Sequence, residues 1–125
     1  MVAVDVENRS GRDVPADAAV AVIRATLAAE GIDDGELGLH FVGPDESRAL
    51  KREHLGIDEA TDVLSFPLDR RDPIAQGLPR QLGDLVLCPD VVGDDWRGPL
   101  VHGVLHLLGY DHGDEMTIRE QELAS

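Results

Sequence analysis

A single cysteine, Cys88, stands in a chain of 125 residues, so no internal disulfide can form and a reducing compartment suits the protein. Long apolar runs are missing too, and none approaches the length needed to cross a bilayer. The start, MVAVDVENRS, lacks the basic stretch and apolar core of a secretory leader. The expectation is a cytoplasmic protein without membrane contact. Basic residues are also scarce: 11 against 25 acidic side chains give a net charge of −14. That sign argues against a general polyanion binder. One arrangement softens the objection. Arg48, Lys51 and Arg52 lie close together, Arg70 and Arg71 follow, and Arg80 and Arg97 sit in later loops. They either line a local basic groove or are ordinary solvated charges.

What the chain does have is concentrated in Leu100 to Gly113, LVHGVLHLLGYDHG. His102, His106 and His112 form His-x3-His-x5-His. On a helix running through Leu108, His102 and His106 share one face, a turn apart. Gly109 lets the chain leave that helix, and a turn through Tyr110 and Asp111 can bring His112 back. Three imidazoles around one Zn2+ ion, with the fourth position open to water, make a catalytic zinc site. The plainer alternative is a pair of partly buried histidines with local hydrogen bonds. Val104, Leu105, Leu107 and Leu108 give an apolar setting in which a lone cationic histidine is costly and a metal-bound neutral one is not. The zinc-protease pattern His-Glu-x-x-His is half matched, because Gly103 stands where the glutamate would be. A protease of that type is therefore disfavoured. Asp111 is the candidate proton shuttle. Asp111, Asp114, Glu115 and Asp84 are candidates to fix the imidazole tautomers.

The rest of the chain supplies a frame. Val2 to Val6 alternates as a strand, with Asn8 to Gly11 as a turn. A helix is predicted between Pro15 and Gly31, with Val20, Ile23 and Leu27 on its core face. Glu36 to Val42 alternates as a half-buried strand that leaves His40 at the surface. Pro44, Asp45 and Glu46 open a second helix that ends at Leu55. Thr61 to Leu68 is a strand, Asp72 to Leu82 a loop, and Gly83 to Cys88 a central strand covered on both faces. Pro89 to Leu100 connects it to a metal helix that starts near Pro99 and is about 15 Å long. That start puts His102 in the first turn. A last helix covers Asp114 to Leu123, with Met116 and Leu123 as its contacts. Residues 1–125 read as one α/β (α+β) domain: a single mixed four-stranded sheet packed with helices, the metal site on a C-terminal helix-turn.

HGVLHLLGYDH and TDVLSFP (Thr61 to Pro67), with the intervening Leu82 to Cys88 segment, resemble the YbeY family of bacterial rRNA-maturation endoribonucleases. The likeness covers most of the chain. It implies a zinc-dependent endoribonuclease, specific for single strands, that trims the 3′ end of 16S rRNA and takes part in ribosome quality control. The implied partner is rRNA in the small ribosomal subunit. Most members carry an arginine where this chain has Leu55, and commonly Asn and Tyr where it has Lys51 and His54. Arg52, one helical turn earlier, is the candidate replacement for the missing guanidinium. Ser65 and Asp62 fall within the motif and are candidates to line the cleft, Ser65 among the catalytic groups. Their plainer alternatives are a strand hydroxyl and a turn-bonding carboxylate. Because Leu55 replaces the arginine, a second class stays open: a non-catalytic ribosome assembly factor whose zinc only holds the fold.

Overall fold

The computed structural model describes residues 1–110 and 114–124. The chain runs through β1 (Val2–Asn8), α1 (Ala16–Ala29), β2 (Gly35–Phe41), α2 (Pro44–Leu55), β3 (Val63–Pro67) and β4 (Gln81–Leu87). It finishes with α3 (Pro89–Val92), α4 (Arg97–Leu107) and α5 (Asp114–Ala124). The four strands form one mixed sheet in the order β1-β2-β4-β3. β1, β2 and β4 run parallel, and β3 pairs antiparallel to β4 at the edge. This is the α+β architecture that the sequence pattern implies.

Alternation along the strands sends side chains to two cores. Leu37, Leu39 and Phe41 of β2, with Leu85 and Leu87 of β4, meet Ile23 and Leu27 of α1 and Leu100, Val104 and Leu107 of α4. On the other face Val86 and Leu64 pack with Val42 and with Leu50 of α2. The short run Leu85–Val86–Leu87 is thus covered on both sides, which explains why it is continuously apolar. Pro44 sits in the first turn of α2, where a missing N–H costs nothing, with Asp45 and Glu46 favourably placed beside it. Among the described residues no helix is long and apolar enough to cross a membrane.

Strands β1, β2 and β3 differ from the prediction by one or two residues at their ends, and three other boundaries differ in ways that bear on the site. The connection after β4 contains a short helix, α3, opened by Pro89. Residues Gln81 and Leu82, assigned to a loop, belong to β4, where Leu82 is fully buried. The third concerns α4, which begins at Arg97 rather than near Pro99. Pro99 is accommodated because the first turn of a helix has no intrahelical N–H bonds to lose. His102 therefore lies in the second turn, away from the frayed end.

One buried carboxylate ties the helices together. Glu30, just past α1, has only 5 % of its side chain exposed. It accepts from Arg119 Nε of α5 at 2.7 Å and from Arg71 Nη2 at 3.0 Å. The Tyr110 hydroxyl also donates to it. Burial pushes the Glu30 carboxyl up, but the bonds from Tyr110 and Arg119 and the charges of Arg119 and Arg71 outweigh it and hold it below its ordinary value. A depressed carboxyl adds stability above its unfolded pKa, and that stability is lost as pH falls through the folded value. Glu30→Gln is expected to cost about 1–2 kcal/mol near neutral pH. Urea titrations of both proteins at several pH values should show the difference shrinking as pH falls below about 4.5.

Candidate metal centre and groove

α4 lies against the sheet at a place where there is no room for a side chain. A Cβ on Gly103 would stand 2.9 Å from Leu85 Cδ2 and 3.1 Å from both Ser65 Oγ and Val63 Cγ2. Leu85 is fully buried, so it can yield only by shifting the side chains packed around it. The Ser65 hydroxyl donates to the Gly103 carbonyl at 3.1 Å, pinning the helix to β3. Gly103 is therefore the contact point, and its neighbours at helical spacing are set by it. Val104 and Leu107 enter the main core, and Val101 and Leu105 pack with Met116 of α5. His102 and His106 are left half-buried on the flank that faces out along β3.

Those two rings meet edge to face with centroids 4.8 Å apart. His102 Nδ1 lies 3.1 Å from Glu120 Oε2 of α5. A carboxylate at that nitrogen keeps the proton there and makes Nε2 the atom that would bind an ion. Two imidazoles a turn apart, one braced by a carboxylate, fit zinc and similar borderline cations. His112 and Asp111, the third expected ligand and the expected proton shuttle, lie outside the described residues.

The histidine pair opens onto a groove of about 930 Å³. One wall is the end of α2, with Lys51, His54 and Leu55; the floor is β3; the other wall is α4 with Tyr110 and Glu120. His54 packs edge to face on Phe66 at 4.8 Å. The Tyr110 hydroxyl bonds to Glu30, which raises its pKa. Ser65 and Asp62 line the groove as expected, yet both bond to backbone: Ser65 to Gly103 and Asp62 Oδ1 to the Val63 N–H at 2.8 Å. Ser65 thus positions the helix.

The expected basic groove is corrected in most of its members. Of the seven cations proposed for it, Lys51 and Arg70 line this groove. Lys51 is bonded to Glu59 at 2.8 Å. Arg52 points towards Asp58 at 3.5 Å and lies off the groove, because Lys51, His54 and Leu55 occupy the inner face of α2. Arg48 also bonds Asp58, Arg71 bonds Glu30, Arg80 donates to the Arg70 and Asp72 carbonyls, and Arg97 lies over Trp96. An acidic chain has paired off its own cations. Asp84 is also corrected as a histidine-orienting residue: it sits on the sheet face away from α4 and lies 3.0 Å from His40 Nε2. His40 is thus a half-buried histidine in hydrogen-bond contact with Asp84, away from the groove. The orienting carboxylate that sequence reading missed is Glu120. A signal existed, since Glu120 is four residues after the buried Met116 and shares its face of α5.

The family model described as Endoribonuclease YbeY matches residues 5–124. A protein from Salinispora tropica carrying that name is 37% identical, the match covering 95% of this chain and 88% of the relative. Its namesake in Halorhodospira halophila is 45% identical over 70% of this chain and 64% of its own length. For the one in Staphylococcus carnosus the figures are 40%, 70% and 66%. The matched part thus spans just under two thirds of the last two relatives. A Thermotoga maritima protein with a solution structure is 24% identical with a TM-score of 0.58, covering 99% of this chain and 87% of that one. At that identity the likeness is one of fold.

Gly103 carries the first test of this site. Gly103→Ala is expected to lift α4 from the sheet and cost about 1–3 kcal/mol, as overpacking of a close contact does. The midpoint of urea unfolding measures it.

Proposed function

The chain belongs to the YbeY family, and on that premise we propose that it is a metal-dependent endoribonuclease that cuts single-stranded RNA. Its target in this reading is the 3′ end of 16S rRNA in the small ribosomal subunit, during maturation and ribosome quality control in the cytoplasm. The observation that carries the proposal is the His102–His106 pair, ring to ring, opening onto a groove beside the TDVLSFP strand.

His102 and His106, joined by His112, would hold one zinc ion. When bound, the ion supplies a Lewis acid for a phosphoryl oxygen and a water whose pKa falls from about 16 to roughly 7. The chain's own groups do the rest. Glu120, beside Nδ1 of His102, would hold the proton there and leave Nε2 free for the ion. Ser65 and Gly103 fix the height of α4, and hence of both rings, above β3. The groove confines the strand between α2 and α4. Asp111 is assigned the proton that goes to the leaving oxygen.

One feature favours a second reading, the assembly factor with a structural zinc. Leu55 is 59 % exposed and lines the groove where the family commonly has arginine, so α2 offers no guanidinium at that point. Elemental analysis of the purified protein beside a single-strand RNA cleavage assay separates the two. The nuclease reading expects about one zinc per chain, and cleavage lost on chelation while the melting temperature holds. Collapse of the fold on chelation, with no cleavage by the loaded protein, would establish the structural role.

Two variants refine the site. His106→Ala should abolish zinc binding and cleavage together; unchanged zinc stoichiometry would overturn the ligand assignment. Glu120→Gln should keep the fold and weaken zinc roughly 10-fold or more, as loss of an outer carboxylate does, which competition with a zinc chelator measures.

A further inference from the structure

Among the described residues one basic side chain stands apart. Every other lysine or arginine reaches a carboxylate, a backbone carbonyl or, for Arg97, an indole ring. Arg70 has no such contact, and it lines the groove with His102 and His106. In a chain of net charge −14, a cation left unpaired in the groove is the exception that calls for a ligand of opposite sign.

The position is built. Arg70 has φ +51, the left-handed region that a branched or long side chain seldom takes. Its turn is fixed on both sides: Asp72 N–H donates to the Asp69 carbonyl at 3.0 Å, and Gln81 N–H donates to Asp69 Oδ2 at 2.7 Å. Arg80 donates to the Arg70 carbonyl at 2.7 Å. The stem of Arg70 then reaches the turn after α4, where its Cδ is 3.7 Å from the place a Cβ on Gly109 would take, three residues beyond His106.

We propose that Arg70 is the groove's phosphate-binding residue, a forked guanidinium that grips a phosphodiester of single-stranded RNA beside the histidine pair. It supplies from the loop after β3 the positive charge that α2 lacks at Leu55. Arginine suits the task because its planar donors match two phosphate oxygens at once. The inference rests on the RNA-cleaving reading of the same groove.

The test is fluorescence anisotropy of the purified protein with a labelled single-stranded RNA, checked for integrity on a gel, at several salt concentrations. Arg70→Gly removes the guanidinium and suits the turn, so folding is preserved. It should weaken binding about three- to tenfold and reduce the slope of log affinity against log salt by about 0.7, one phosphate contact on a single strand. Arg70→Lys should keep the slope and recover part of the affinity. Arg48→Ala, which removes a cation paired off the groove, should leave both unchanged. Equal affinity and slope for Arg70→Gly and the unaltered protein would overturn the assignment while leaving the nuclease reading intact, as would an equal loss in Arg48→Ala. If the unaltered protein neither binds nor cuts the strand, the nuclease reading itself falls and this inference falls with it.

Discussion

The distance between α4 and β3 sets everything else at the groove. With Gly103 in contact with Leu85, Ser65 and Val63, the helix rests on the sheet without a spacer. Its remaining positions are then assigned by period: those on one side enter the core, those on the other carry the two imidazoles. The same closeness explains the missing glutamate of the zinc-protease pattern. A side chain at position 103 would run into the Leu85, Ser65 and Val63 side chains. Position 103 therefore brings no side chain to the groove, and any proton-transferring group there belongs to another segment.

Charge is organised on the same principle of local closure. The chain's excess of carboxylates is spent on its own cations at the surface: Asp58 takes Arg48 and Arg52, Glu59 takes Lys51, and Glu46 with Glu7 takes Arg9. Such exposed pairs add little stability, since water and salt screen them. Their effect is on the field instead. With its cations paired in this way, the acidic surface presents few strong positive points.

The fold was readable in outline because its signals are local. Alternation marked β2, the 3.6-residue period marked α1, and Pro44 with the acids after it opened α2. The histidine pair needed only four-residue spacing on a helix. What could not be read depended on contacts between distant segments. Arg52 and Lys51 are adjacent, and only the docking of α2 decides which of them faces the groove. Asp84 and Leu85 are adjacent too, and the sheet face that α4 covers separates their roles. Ser65 looked like chemistry in a motif, and its partner proved to be a carbonyl 38 residues away. Glu120 escaped notice for the same reason, as its significance lies in a histidine on another helix.

Glu30 shows what such sharing means for dissecting the protein. Arg71, Tyr110 and Arg119 come from three different segments and converge on one acceptor. Removing any donor changes the surroundings of the other two, so single substitutions at these sites will not sum to the effect of the triple. A double-mutant cycle would therefore report the coupling through the carboxylate rather than the worth of any one bond, and stability measured at one of these positions cannot be transferred to the next.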